Sequence, residues 1–184
     1  QFDPDGYLGN PPKQYADGIS LFQIVYTLKD QYGNGVMNSP ISISTNIPGE
    51  DAVVYTNAQG KAMMTYGPKT SVGKISITAK SLVNSTVKCE KEIWFISQEP
   101  TDMQFIAVPE SMASRDVIGW EPGQLLAKVI DENGNPVPDE LVTFSLGVPD
   151  YHGQTYNVTI EPNLSAFEAI SDIDGYAIVN FLPG

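Results

Sequence analysis

Apolar and polar residues alternate along this chain in short runs, and nowhere do they recur with a helical period over a useful length. In the segment 22–28, Phe22, Ile24, Tyr26 and Leu28 are all large and apolar. Ile41/Ile43, Ala62/Met64/Tyr66, Ile75/Ile77/Ala79 and Val87/Cys89 keep the same two-residue period. Successive side chains on a strand point to opposite faces, so each run predicts a strand with one face turned to a core. Clusters of Gly, Pro, Asn and Asp separate the runs, among 16 glycines and 14 prolines. That punctuation suits short antiparallel strands joined by turns, and an all-β sandwich is the expected class.

The pattern is also duplicated. Leu28-Lys29-Asp30-Gln31-Tyr32-Gly33-Asn34-Gly35-Val36 recurs as Val129-Ile130-Asp131-Glu132-Asn133-Gly134-Asn135-Pro136-Val137, an offset of 101 (131 − 30). At that offset Ile24, Tyr26, Ile41 and Ile43 meet Leu125, Ala127, Val142 and Phe144. A second block, Thr56-Asn57-Ala58-Gln59-Gly60-Lys61-Ala62, matches Ser171-Asp172-Ile173-Asp174-Gly175-Tyr176-Ala177 at an offset of 115 (175 − 60), so the second copy holds an insertion between the blocks. In both blocks an Asx side chain can accept backbone hydrogen bonds while a glycine takes the positive φ that turns one strand onto the next. These are scaffolding signals. They predict two tandem domains, 1–98 and 99–184, meeting near residues 97–101, where Pro100 cannot join a strand ladder.

The repeated motifs resemble the bacterial immunoglobulin-like domains of the intimin/invasin type. The resemblance is carried by Ala16-Asp17-Gly18, the Asp30 turn, the Asn57 turn and Val72-Gly73-Lys74-Ile75-Ser76-Ile77-Thr78-Ala79 in the first half. In the second it is carried by Met103-Gln104-Phe105-Ile106-Ala107-Val108-Pro109, which is similar to the family's opening strand, and by the Asp131 turn. The segment 171–184 also resembles carboxypeptidase regulatory-like domains, a sandwich of the same general build. The resemblance implies two tandem immunoglobulin-like antiparallel β-sandwiches in an exported surface protein that displays a binding tip on a stalk. It carries no functional residues over, because the shared motifs are structural.

Charge narrows the partners. Ten basic against 22 acidic residues give a net charge of −12, a field that repels phosphate backbones and anionic lipid, so neither nucleic acid nor a membrane surface is an expected partner. No apolar run reaches the roughly 18–20 residues that span a bilayer. The single Cys89 excludes an intrachain disulfide; its alternating flanks suggest a buried, inert thiol, with an interchain disulfide as the alternative. Asn84, Asn157 and Asn163 lie in Asn-x-Ser/Thr sequons, which fit a secreted glycoprotein.

Catalytic chemistry finds little to work with. His152 is the sole histidine and sits in a polar loop, so a Ser-His-Asp or Cys-His arrangement has one base to draw on. His152 and Cys89 together fall short of a zinc ligand set. Glu50-Asp51 and Asp139-Glu140 are adjacent pairs that point apart on a strand and are expected to be solvated. Calcium is the one cofactor with a case: Asp3-Pro4-Asp5-Gly6 and Asp172-Ile173-Asp174-Gly175 both open like calcium loops, but neither continues with spaced oxygen ligands, and turn chemistry is the expectation for both. Glu99 and Asp102 form a further weak candidate. Trp94, Tyr26, Phe105 and Phe144 lie in strand patterns and are expected to pack in cores. Trp120, in an apparent loop, either caps a core edge or presents a partner-binding or sugar-stacking face.

The expected function is therefore a non-enzymatic structural segment of an extracellular cell-surface protein, a stalk, surface-layer or filament repeat whose partners are neighbouring repeats or other subunits. The alternative is an adhesive module recognising a glycan or receptor through the insertion between Leu146 and Ile170 and through Trp120. That insertion is expected to project from the second sandwich. In the first repeat two strands follow Pro68; in the second the corresponding Pro183 has only Gly184 after it. Domain two is thus expected to lack two strands, to leave an open sheet edge, and to leave Leu125, Val129, Phe144 and Phe181 partly uncovered. Either a longer chain or a neighbouring subunit would supply the missing strands.

Overall fold

The computed structural model describes residues 11–147 and 162–184, and every regular element among them is a strand. The chain divides into two compact units, 1–97 and 98–184.

Unit 1 contains β1 (Lys13–Tyr15), β2 (Phe22–Thr27), β3 (Pro40–Thr45), β4 (Ala52–Tyr55), β5 (Lys61–Tyr66), β6 (Gly73–Ser81) and β7 (Lys88–Ile96). One sheet runs β1-β7-β6-β3-β4 and the other pairs β2 with β5. All its pairings are antiparallel except β1 with β7. The alternation does what the sequence predicted: Phe22 and Ile24, Ile41 and Ile43, Ile75, Ile77 and Ala79 are buried in one core. Phe95 of β7 joins the layers, meeting Phe22 edge-on at 5.2 Å and Tyr66 at 6.3 Å between ring centroids.

Unit 2 contains β8 (Asp102–Val108), β9 (Gly123–Ile130), β10 (Leu141–Thr143), β11 (Asn163–Leu164), β12 (Glu168–Ile170) and β13 (Tyr176–Leu182). Its sheets are β11-β13-β9-β8 and β10-β12, all antiparallel. The duplication holds at single-residue register. Pro40 pairs with Tyr55, and 101 and 115 residues further on Leu141 pairs with Ile170. β9, β10, β12 and β13 are therefore counterparts of β2, β3, β4 and β5. Among the described residues β6 and β7 have no counterpart, and β10 pairs only with β12.

Several expectations need correction. Cys89 is exposed, not buried. It lies opposite Ala79 in the β6–β7 ladder, but β1 reaches only Trp94, Phe95 and Ile96, so the first half of β7 is an outer edge. Phe105 is 62% exposed despite its strand pattern. Val129 and Phe144 are buried, at 5% and 7% exposure, where partial exposure was expected; Leu125 and Phe181 are half-buried, and Met103 and Phe105 of β8 are exposed. The end of the insertion does not project: Leu164 of β11 pairs with Phe181 and is buried in the core. The rest of it, with His152 and Asn157, and the segment with Asp3 and Asp5, lie outside the described residues.

Candidate functional site

The chemistry of both units is concentrated in their turns. Asp30 Oδ1 accepts the amides of Tyr32 and Asn34, each at 2.9 Å, and Oδ2 accepts Asn34 Nδ2 at 3.1 Å. Asp131 does the same with Asn133 and Asn135, at 2.9 Å each, and with Asn135 Nδ2 at 3.0 Å. In the second turn Asn57 Oδ1 accepts the amides of Gln59 and Lys61 at 3.0 Å. Its counterpart, Asp172 Oδ1, accepts those of Asp174 and Tyr176 at 3.0 and 2.9 Å. A neutral amide oxygen and a carboxylate thus perform one task at equivalent places, which is the work of an Asx turn.

A buried hydroxyl ties the two turns together in each unit. Thr56 Oγ1 donates to the Val36 carbonyl at 2.5 Å and accepts from the Ser39 amide at 2.9 Å. Ser171 Oγ donates to the Val137 carbonyl at 2.8 Å and accepts from the Glu140 amide at 2.9 Å. Just before that amide the backbone turns through positive φ at Asn38 (52°) and Asp139 (64°), which short polar side chains tolerate.

The units differ at the first turn. Asp30 is solvent-exposed, whereas Asp131 is 2% exposed and its Oδ2 also accepts the Gln98 amide at 3.1 Å. Gln98 Nε2 reaches Glu132 at 2.9 Å and the Thr101 amide donates to the Ile130 carbonyl, so the segment 98–101 lies over the turn. Burial would raise the Asp131 carboxyl's pKa, but the hydrogen bonds from Asn135, Gln98 and Asn133 outweigh it and hold the group below the usual carboxylate range. The Asn34 side chain, chiefly, lowers Asp30 in the same sense.

Glu50, expected to be solvated, is a hub instead: it accepts the Tyr66 hydroxyl and pairs with Lys69. Lys69 Nζ also stands 5.3 Å from the Tyr66 ring centroid. Burial, then the Glu50 carboxylate, pushes the Tyr66 phenol up. Burial, with a smaller contribution from Cys89, pushes Tyr26 up to about 12. No local sequence signal announced the Glu50 cluster, since it joins loop and strand residues 16 and 19 apart.

Of the remaining candidates, Asp174 is exposed, and Asp102 Oδ1 accepts the neighbouring Met103 amide at 2.8 Å. Among the described residues no group of three or more His, Cys, Asp or Glu side chains converges as a metal site. Asn84 is exposed, with Oδ1 accepting from the amide and hydroxyl of Thr86, and Asn163 is half-buried. Trp120 is also half-buried, with the Arg115 guanidinium 5.9 Å from its ring centroid. No helix among the described residues is long and apolar enough to cross a membrane.

Strand order and the duplicated register define the class: two immunoglobulin-like β-sandwich units built on one repeated plan. Among known proteins, the chain is similar to the inverse autotransporter adhesin YeeJ of Escherichia coli (strain K12), 26% identical over 171 residues, which are 90% of this chain and 7% of that protein. It spans a small fraction of that relative's length. Similar solved structures are the D0-D1 domain of intimin (20% identity, 95% of this chain and 82% of that one, TM-score 0.43) and the Yersinia pseudotuberculosis adhesin InvE (18%, 94% and 49%, TM-score 0.46). No family model matches. The extracellular, cell-surface setting expected from the motifs agrees with the adhesin relative.

Proposed function

We propose that the chain is a non-enzymatic spacer segment of a bacterial surface adhesin, with residues 1–98 and 99–184 as successive modules whose partners are neighbouring repeats. The observation that carries this reading is the duplicated turn network. Asp30 and Asp131, Asn57 and Asp172, Thr56 and Ser171 all direct their acceptor oxygens to backbone amides of their own unit. Side chains engaged in that way shape a rigid module and leave little with which to recognise a substrate. The adhesin relative supports the setting.

The adhesive alternative places recognition at the insertion and at Trp120, whose ring already carries Arg115 on one face. Glycan-array and host-cell binding by the 184-residue chain separates the two. A spacer gives no saturable binding; saturable binding that Trp120→Ala abolishes would replace the spacer reading with the adhesive one.

A further inference from the structure

The chain holds two Asn-Gly pairs, Asn34-Gly35 and Asn133-Gly134, and both lie in the duplicated first turn. Asn followed by Gly is the pairing most open to attack by the backbone on its own side chain, because glycine has no Cβ to hinder the approach. The two pairs do not fall at equivalent places. At the 101-residue offset Asn34-Gly35 meets Asn135-Pro136, and Asn133-Gly134 meets Tyr32-Gly33. One chemistry is thus offered at two positions of the same turn, and the surroundings of the attacking nitrogen differ.

At Gly35 that nitrogen is available. The bridge between Lys29 and Gly35 is flanked by two hydrogen bonds, from the Asp30 amide to the Asn34 carbonyl at 2.9 Å and from the Val36 amide to the Leu28 carbonyl at 3.0 Å. Residues paired between such bonds exchange none themselves, so the Gly35 N–H points away from Lys29. Among the described residues it has no acceptor. Unit 2 makes the same point. Bonds from Asp131 to Asn135 and from Val137 to Val129 flank Ile130 and Pro136, and proline can stand there because the position needs no N–H. Asn34 and Gly35 are both exposed, and the Asn34 carboxamide donates from Nδ2 to Asp30 Oδ2 at 3.1 Å. Gly134 differs. Its amide donates to the Asp131 carbonyl at 3.0 Å, and an amide so engaged must give up that bond before it attacks.

We propose that Asn34 is a site of spontaneous, one-way modification in the first turn of unit 1. The Gly35 nitrogen bonds to Asn34 Cγ, the Cγ–Nδ2 bond breaks, and Nδ2 leaves as ammonia with the proton that the Gly35 nitrogen gives up. Water then opens the cyclic imide at either carbonyl, giving aspartate or isoaspartate. Either product loses the Nδ2 donor to Asp30 and adds a carboxylate near that of Asp30. Isoaspartate also lengthens the main chain by a carbon just before Gly35. There is no slack at that point: a Cβ on Gly35 would lie 2.4 Å from the Gln59 carbonyl carbon, and one on Gly60 would lie 2.6 Å from Gly35 Cα. Conversion therefore loosens the contact between the two turns of unit 1, while Pro136 exempts unit 2 at the equivalent position. This inference concerns how the module ages and stands apart from the spacer reading.

The test incubates the folded 184-residue chain in mildly alkaline buffer beside a urea-unfolded sample, and follows both asparagines by peptide mass mapping and enzymatic isoaspartyl methylation. In urea the two should convert at similar rates, because only the local sequence acts. In the folded chain Asn34 should convert faster than Asn133 by about tenfold, the order of factor that giving up one amide hydrogen bond sets. Asn34→Gln should remove most of the isoaspartyl signal, since the longer side chain closes a larger ring more slowly. The converted fraction, separated by ion exchange, should unfold at lower urea than fresh protein. Equal rates at Asn34 and Asn133 in the folded chain, or an Asn34 that converts in urea but not when folded, would overturn the proposal. An isoaspartyl signal undiminished by Asn34→Gln would place the modification at Asn133 and overturn it as well. An unchanged urea midpoint in the converted fraction would overturn the loosening of the turn. The rates are read on the unaltered chain, so the outcome does not depend on a variant that folds.

Discussion

At single residues the repeat makes paired forecasts. A Cβ on Gly60 would lie 2.4 Å from the Leu28 carbonyl oxygen, and one on Gly175 would lie 2.6 Å from that of Val129, at φ of +73° and +78°. Gly33 and Gly134 share the positive φ but have nothing within 4 Å. Left-handed geometry costs a non-glycine residue roughly 1–2 kcal/mol, and a backbone clash adds to it. Gly60→Ala and Gly175→Ala should each cost about 3 kcal/mol, and Gly33→Ala and Gly134→Ala about 1 kcal/mol, measured by urea unfolding. Asp131 and Asp30 diverge for a different reason: Asp131→Ala strands several buried donors and should cost about 1–3 kcal/mol, with a smaller loss for Asp30→Ala. The Asp131 carboxyl's pKa is depressed in the folded chain. Its contribution is therefore fully present above the unfolded value of about 3.9 and disappears as pH falls through the lower folded value. Asp131→Asn should flatten that acid limb in a pH series of unfolding midpoints.

Between elements, the buried hydroxyls are the joints. Thr56→Val and Ser171→Ala each leave a buried amide and carbonyl without their partner, a loss of about 2–3 kcal/mol, and urea titrations of the two variants should show similar costs. The position of both joints was legible in the sequence, because an Asx-x-x-Gly block preceded by Thr or Ser recurs with its flanking apolar residues in phase. Cys89 was not legible. Alternation says which residues share a face of β7, but whether that face is covered depends on β1, which stops at Trp94. Native Cys89 should accordingly react with a maleimide about as fast as it does in urea; protection of the native thiol would contradict the edge position. Phe105 was misplaced by the same logic, since period two places it on a core face and cannot tell whether another layer covers that face. The Glu50–Tyr66–Lys69 cluster was hidden because long-range polar contacts leave no period behind.

Across the whole molecule, the two units share a register but not a core. In unit 1 the five core side chains Ile75, Ile77, Ala79, Ile93 and Phe95 come from β6 and β7. In unit 2 the described residues offer no equivalent, and Met103 and Phe105 stay in contact with solvent. Burying a large apolar side chain stabilises a fold by roughly 1.5–3 kcal/mol, so four such residues represent a large part of the 5–15 kcal/mol of stability typical of a domain. The 184-residue chain should consequently unfold in two thermal steps, with unit 2 melting first. The glycine pair assigns the steps without separating the units. Gly175→Ala should lower the first midpoint alone, and Gly60→Ala the second alone, each by roughly 12–24 °C for a cost near 3 kcal/mol in a domain of this size. Calorimetry of the two variants checks both assignments. A single transition that both substitutions lower together would mean that the units fold as one, and that the core of unit 2 is closed by contacts its own strand ladder does not contain.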